Sequence, residues 1–345
     1  MVKKRNSKKF FLILIPLLLV FTFFLVFTFF EEKTVKCNDG TLYNGCSSIK
    51  PYYCSNGILI EKASICGCSE ISEEKGEVCD SEYHGDSKEI SLDYTLDGTK
   101  NEIDFIVYEE MAGYLTEVPR TIESNNGDVI SRVDFKLKSV NEENQREFLL
   151  PLVVEIQNIA SDKEEQAKIA ISLVQNIEWG FSDEKVKFIR TELNYSRYPY
   201  EVVFDNKGIC GEKSQLLAFL LKELGYGVAI FYNSAENHES VGIKCPIEES
   251  WHDSGYCFVE TSGPSIISDS SISYVGDSNL RTIPEVLVIS DGISLPKRME
   301  EYSDAKDLMK IKEKIIETGE LNPLDNFRKE SLEKKYNLGG EYNLA

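Results

Sequence analysis

The sequence predicts an α+β protein in which helices precede an antiparallel sheet. Two helical patterns come before three alternating apolar stretches in the second half of the chain, and helical patterns return in the tail. Helices followed by consecutive strands are typical of α+β domains. With 345 residues, the chain has room for one or two ordinary domains besides smaller segments.

The N-terminus is predicted to anchor the chain in a membrane. Residues 1–9 form a leader with five basic side chains, and residues 10–30 are a 21-residue stretch without a charge. About 20 apolar residues span a hydrocarbon core, and the basic flank is expected to stay in the cytoplasm. We therefore expect a single-pass signal anchor at the cell membrane, with residues 31–345 extracytoplasmic. A long cleaved signal peptide is the alternative, although two glutamates follow the apolar stretch where a cleavage site needs small residues.

The cysteine pattern agrees with export, because disulfides persist in oxidising compartments. Six of the nine cysteines lie between Cys37 and Cys79, in a segment rich in Gly, Ser and Asn. Residues 31–80 are therefore predicted to form a disulfide-rich module, whose six cysteines allow fifteen pairings. Cys245 and Cys257 flank a polar loop and are expected to close a hairpin; the alternative is a zinc site with His252, which needs a fourth ligand. Cys210 is then left unpaired.

The charge of the chain argues against a nucleic-acid partner. The net charge is −20 and the leader contributes five positive charges, so the exported part carries a charge near −25. Phosphate backbones are bound through Lys and Arg, and an acidic surface repels them. An acidic surface mainly keeps an exported domain soluble.

The region between the module and Cys210 is predicted to change from strands to a helix. Residues 69–90 are acidic and polar enough for a linker. A β-rich lead-in is expected over 88–150, with strands in EIDFIVY and VISRVDFKL. SDKEEQAKIAISLVQNIEW then has helical spacing, and Ser161 with Glu164 fits a capping box.

The segment after Cys210 predicts a central helix followed by the sheet. Leucines cover nearly all sides of GICGEKSQLLAFLLKEL, which indicates a helix buried all round, and Gly225 is expected to end it. YGVAIFY, ESVGIKC and YCFVETS alternate like strands. Residues 266–345 are predicted to be a C-terminal helical extension docked on the same domain, with helices in YSDAKDLMKIKEKIIETG and NPLDNFRKESLEKKY.

Cys210 is the candidate nucleophile, because a thiol at a helix N-terminus meets free backbone N–H groups and the positive end of the helix dipole. Gly208 and Gly211 are expected to leave room for a substrate carbonyl. The alternative for Cys210 is a small buried hydrophobic residue, a common fate of free cysteine.

His238 and Glu260 are the candidate partners of the thiol. His238 opens a predicted strand after a polar turn, whereas His84 and His252 are expected to be solvated surface residues. A third group should orient the imidazole, and Glu260 is the acidic residue in the apolar strand FVETS. Alternation also allows Glu260 to face outward if Val259 points into the core.

The order of these motifs resembles the transglutaminase-like superfamily, which shares a Cys-His-Asp arrangement with papain-type cysteine peptidases. The resemblance covers 151–265 and is carried by KGIC with its Leu-rich helix and LGYG stop, then by NHESVGI and CFVETSGP. It implies a core in which a central helix carrying the cysteine packs on an antiparallel sheet. It further implies that Cys210 is the nucleophile, His238 the general base and acid, and Glu260 the residue that holds the imidazole. No cofactor and no metal are expected. The disulfide-rich module predicted over residues 31–80 also resembles cysteine-rich modules of archaeal surface proteins.

Two departures from the family pattern lie at the predicted site. The family usually has Asp where Glu260 stands, and an aromatic residue where Glu239 follows the histidine. The expected function is a membrane-anchored extracytoplasmic cysteine peptidase or amidase, acting on a peptide or protein substrate at the cell surface through a thioester, with hydrolysis favoured over crosslinking. One alternative is an inactive surface module that binds a partner in the same groove. Another is a metal site made by Cys210, His238 and Glu260.

Overall fold

The computed structural model describes residues 36–122, 129–182, 185–188, 191–271, 273–274, 278–280 and 282–338. The predicted anchor over residues 10–30 lies outside this part of the chain. Within the described ranges, no helix is both long enough and apolar enough to cross a membrane. The structure is of mixed α+β type with four disulfides.

The N-terminal module is held by three disulfides, as the cysteine pattern predicts. The bonds join Cys37 to Cys54, Cys46 to Cys66 and Cys68 to Cys79. Its elements are β1 (Tyr52–Ser55), β2 (Ile58–Glu61), α1 (Ala63–Cys66), β3 (Glu73–Lys75) and β4 (Val78–Asp80). The expected linker over 69–90 is wrong, because β3 and β4 pair there as a hairpin that the last disulfide closes.

One long hairpin and three helices connect the module to the core, so the β-rich lead-in expected over 88–150 is wrong beyond residue 108. They are β5 (Ser87–Leu96), β6 (Thr99–Tyr108), α2 (Glu109–Glu117), α3 (Arg132–Val140) and α4 (Glu143–Ile159). The strand predicted in EIDFIVY is confirmed by β6, but the strand predicted in VISRVDFKL is wrong. Ser131 and Asp134 form a capping box that starts α3. Val133 and Leu137, four residues apart, pack on the core, whereas Phe135 between them is exposed.

The predicted helix before Cys210 is present as α5 (Lys163–Asn176), but its start differs from the expected one. Asp162 is the N-cap, and its carboxylate accepts the backbone N–H groups of Glu164 and Glu165. The capping box of Ser161 with Glu164 is therefore wrong by one position. The carboxylate of Glu164 instead pairs with Lys168 one turn along the helix. Short elements follow: β7 (Glu178–Trp179), β8 (Lys185–Phe188), β9 (Thr191–Asn194), α6 (Pro199–Asp205) and β10 (Lys207–Gly208).

The core is a buried helix packed on a four-stranded antiparallel sheet. The helix is α7 (Cys210–Glu223), and Gly225 follows it with a φ of 95°, a value that suits glycine. The sheet has the order β13-β12-β11-β16. Its strands are β11 (Val228–Asn233), β12 (His238–Lys244), β13 (Tyr256–Val259) and β16 (Glu285–Ser290), with a small pair, β14 (Ser273–Tyr274) and β15 (Ser278–Asn279), before the last. The three strands expected after α7 are confirmed, and the Cys245–Cys257 disulfide closes the β12–β13 hairpin.

The helical extension expected over 266–345 is wrong in its first part, because β16 belongs to the central sheet. Its later part consists of α8 (Glu300–Thr318) and α9 (Pro323–Tyr336), as the amphipathic patterns predict. Both helices dock on the core. Ile266, in the segment after β13, is buried together with Leu308 of α8 and Leu332 of α9. Glu301 also forms an ion pair with Lys168 of α5, at 2.7 Å.

The start of α5 gives a direct test. We expect Asp162→Ala to lower the free energy of unfolding by about 1 kcal/mol, because two N–H groups lose their acceptor. Ser161→Ala, one residue earlier, is the matched control and should have almost no effect. Urea unfolding of both variants at neutral pH measures the difference. An equal loss in both variants would contradict the assignment of Asp162 as the cap.

Candidate active site

The start of α7 places the Cys210 thiol at the site. Ile209 is the extended residue before the helix, and its N–H group donates to the Glu212 carboxylate at 3.1 Å. Arg197 supports that carboxylate through its backbone N–H and its guanidinium, at 2.9 and 3.2 Å. Cys210 is half-buried and has a free thiol, whereas the other eight cysteines are paired. The thiol therefore adjoins first-turn N–H groups, which lack partners within a helix.

His238 and Glu260 form a buried ion pair behind this thiol. Nε2 of His238 lies 2.9 Å from Oε2 of Glu260, and the two side chains are 1% and 2% exposed. The other carboxylate oxygen accepts the backbone N–H groups of Thr261 and Ser262 at 2.9 and 2.8 Å. Val259 and Glu260 are both buried, so the alternative of an outward-facing Glu260 is wrong. Glu260 lies just beyond β13, and its carboxylate faces His238 of β12.

The imidazole of His238 links Glu260 to Cys210. Burial alone would lower the pKa of His238, but the charge of Glu260 and a hydrogen bond with the Cys210 side chain raise it to about 10. Burial would likewise raise the pKa of Glu260, yet the charge and hydrogen bond of His238 lower it. Glu260 holds Nε2, so Nδ1 is the ring nitrogen that Glu260 does not bind. The arrangement supports an imidazolium beside the thiol.

Contrary to the expectation from the sequence, the two glycines near Cys210 do not leave open space for a substrate carbonyl. A Cβ atom on Gly208 would lie 3.1 Å from Val202 and 3.2 Å from the Lys213 side chain. Gly208 is therefore needed for close packing. At Gly211, a Cβ atom would lie 2.8 Å from the Glu239 carboxylate.

The Glu239 carboxylate thus occupies the position beside the thiol-bearing turn. It forms an ion pair with Lys136 of α3 at 2.6 Å. Both side chains are only slightly exposed, at 12% for Glu239 and 15% for Lys136. An ion pair therefore stands where the family resemblance implied an aromatic residue.

Lys213 and Gln175 tie the loop carrying Glu260 to the end of α5. Nζ of Lys213 donates to the carbonyls of Ile177, Gln175 and Ser262 at 2.6, 3.3 and 3.4 Å. Nε2 of Gln175 donates to the Glu260 carbonyl at 2.9 Å. The sequence analysis missed both residues. A Glu-Lys pair in the first turn of a helix ordinarily indicates a solvated face, and only the tertiary packing buries this lysine.

The other candidate ligands and histidines lie outside the site. Cys245 and Cys257 are joined in a disulfide, which overturns the zinc alternative with His252. His252 is exposed as expected, but His84 is half-buried, with its ring 4.6 Å from that of Phe148 and 4.7 Å from that of Tyr108. Across the described residues, no cluster of three or more His, Cys, Asp and Glu side chains is arranged to hold a metal ion.

Comparisons with known proteins give only a weak structural likeness. No family model matches the chain, and no curated protein matches it. LapG of Legionella pneumophila is similar over 39% of this chain and 74% of its own, with 14% identity and a TM-score of 0.24. Its calcium-bound form is similar over 52% of this chain and 99% of its own, with 15% identity and the same TM-score of 0.24. TM-scores of this size do not establish a common fold, so the functional proposal rests on the side chains of this chain.

The buried charges predict how stability depends on pH. The raised pKa of His238 means that the folded chain keeps a proton that the unfolded chain releases above about 6.5, so this group loses its stabilising effect as pH rises towards 10. Burial lowers the pKa of Lys213 from 10.5 to about 7, although Glu260 and Cys210 oppose the shift. Between these values the unfolded chain binds a proton that the folded chain has released, so the contribution of Lys213 to stability rises with pH. The two contributions offset each other between pH 7 and 10.

Removing the imidazole should expose the effect of Lys213. We expect the free energy of unfolding of His238→Gln to rise between pH 7 and 9 by up to about 1.4 kcal/mol per pH unit, the limit for one proton. The unaltered chain should show a flatter profile. Urea unfolding at pH 7, 8 and 9 measures both slopes. Parallel profiles for the two proteins would contradict the opposed proton demands of His238 and Lys213.

Proposed function

We propose that this protein is a membrane-anchored, extracytoplasmic cysteine enzyme of the transglutaminase-like type. It acts on a peptide or amide carbonyl through the thiol of Cys210, with His238 as general base and acid and Glu260 as the residue that orients the imidazole. The substrate is a peptide or protein at the cell surface, and the acyl group is transferred to water. No cofactor takes part in this scheme.

The observation that carries the proposal is the buried imidazole of His238, which is paired with the Glu260 carboxylate and interacts with the Cys210 side chain. Nucleophilic thiols are activated by an adjacent base, which a third group orients. Here the carboxylate holds Nε2 at 2.9 Å and leaves the opposite nitrogen for sulfur. Its second oxygen is fixed by two backbone N–H groups, so the glutamate carboxylate is held by the loop as well as by the imidazole.

The first half of the reaction follows from these positions. The Cys210 thiolate attacks the carbonyl carbon, a C–S bond forms, and the carbonyl electron pair moves to oxygen. N–H groups at the start of α7 stabilise this oxyanion. The intermediate then collapses, the C–N bond breaks, and the imidazolium of His238 gives its proton to the departing amine. The product is a thioester on Cys210 and a neutral imidazole.

The second half restores the enzyme. Neutral His238 takes a proton from water as the water oxygen attacks the thioester carbon. The C–S bond breaks and the thiolate is regenerated beside the imidazolium. The Glu260 carboxylate stabilises that cation in both halves of the cycle. An amine in place of water would give a crosslink by the same steps.

An acyl probe tests this proposal in the full-length chain in detergent. p-Nitrophenyl acetate should acetylate Cys210 and release nitrophenol in repeated turnovers. We expect the turnover rate to fall about a hundredfold or more in His238→Gln, because general acid–base catalysis by a histidine contributes about that much. Cys210→Ser should remain unacetylated, as judged by intact mass.

Controls separate catalysis from simple thiol chemistry and from binding. His252→Gln alters an exposed histidine and should leave the turnover rate unchanged. Monodansylcadaverine added to the reaction should remain unacetylated if water is the acceptor, and formation of its N-acetyl derivative would assign acyl transfer to amines instead. Equal acetylation of the unaltered chain and His238→Gln, without turnover, would refute the enzyme and leave a binding module in the same groove.

A further inference from the structure

Lys213 is a buried cation that the proposed reaction does not use. Its side chain is fully buried, and its three hydrogen-bond acceptors are backbone carbonyls rather than a carboxylate. Burying an ammonium group without a directly bonded anion is costly. A methionine or leucine would fill the same volume without that cost. The position of this lysine therefore calls for a role that an apolar residue could not perform.

The acceptors of Lys213 lie on the two segments that frame Glu260. Ile177 and Gln175 are at the end of α5, and Ser262 belongs to the loop whose N–H groups hold the Glu260 carboxylate. The side chain of Gln175 also grips the carbonyl of Glu260 itself. The amine of Lys213 thus holds the loop at Ser262, whose own N–H group donates to the Glu260 carboxylate.

Lys213 also acts on the site through its charge. The groups whose charges act on it are Glu260, on the loop after β13, and Cys210, one turn earlier on α7. Both attract the ammonium form, while burial opposes it and leaves its pKa at about 7. His238, on β12, carries the other positive charge of the cluster. A thiolate at Cys210 would therefore be stabilised by two cations, one of which is lost as pH rises past neutrality.

We propose that Lys213 is a positioning residue of the candidate active site, which ties the Glu260 loop to the end of α5 and supplies a second positive charge to the Cys210–His238–Glu260 cluster. This proposal rests on the proposed function, since the charge acts on the thiolate that attacks the substrate. It also explains why a lysine stands at a fully buried position of α7.

Alkylation of Cys210 by iodoacetamide tests the role of Lys213. Cys210 is the one free cysteine among nine, so the reaction of the full-length chain in detergent reports on this thiol alone. We expect Lys213→Met to react about tenfold more slowly than the unaltered chain at pH 6, as the loss of one nearby opposite charge predicts. The ratio should shrink towards one by pH 9, where the native amine is neutral. Lys222→Met, on the same helix but partly exposed, should match the unaltered chain at every pH.

Two results would overturn the proposal. Equal rates for Lys213→Met and the unaltered chain at pH 6 would show that the lysine does not act on the thiol. A loss of the same size at every pH would show that it acts through packing alone. Far-ultraviolet circular dichroism confirms that the variant retains the fold at each pH.

A second variant serves if Lys213→Met does not fold. Lys213→Arg keeps a positive charge at high pH, so its alkylation rate relative to the unaltered chain should rise between pH 6 and 9. A constant ratio would also overturn the proposal. His238→Gln separates the two proposals. If Cys210 in His238→Gln is alkylated as fast as in the unaltered chain, the proposed enzyme is refuted. If alkylation is slow in His238→Gln but both Lys213 variants react as the unaltered chain does, only the proposed role of Lys213 is refuted.

Discussion

The buried pair of His238 and Glu260 is the interaction on which the geometry of the site depends. Removing one partner of such a pair leaves an uncompensated charge in the interior and typically costs about 3–5 kcal/mol. The two residues belong to different segments, so the pair fixes the end of β13 against the start of β12. Val241 faces Val259 across the same hairpin, and the Cys245–Cys257 disulfide closes its far end. The antiparallel pairing of β12 with β13 and the disulfide thus hold the imidazole of His238 in place beside α7.

Glu260 lies just after β13, where the backbone is no longer paired with β12. A residue within the strand would alternate away from its neighbour, yet Val259 and Glu260 are both buried. The N–H groups of Thr261 and Ser262 fold over one carboxylate oxygen and direct the other towards the imidazole. The additional methylene is therefore accommodated by the backbone of the loop. The loop backbone thus supports a buried carboxylate next to the imidazole of His238.

The sequence was enough to predict Cys210, His238 and Glu260 as the candidate site, because each stands at a local signal: a helix start, a strand start and an acid among apolar residues. The strands after α7 could also be predicted, because the alternation of apolar residues is a local signal too. Long-range contacts could not be predicted. Lys213 and Glu239 look like solvated charges until α5 buries the first and Lys136 of α3 pairs with the second. The helix α3 was missed because Val133, Phe135 and Leu137 alternate like a strand, and only packing shows that Phe135 is exposed.

A free thiol exchanges only with a disulfide that it contacts, and the β12–β13 hairpin separates its own disulfide from the candidate site. The Cys245–Cys257 bond lies just beyond Lys244, at the end of β12 opposite to His238. Seven residues of strand place it roughly 20 Å from the imidazole, given about 3.3 Å per residue. Direct attack of one sulfur on another requires contact. The remaining bonds lie in the module, where Leu59 of β2 is hydrogen-bonded to Asn158 on α4. The β12–β13 hairpin therefore carries His238 at one end and its disulfide at the other, so the bond that stabilises the sheet lies away from the free thiol of Cys210.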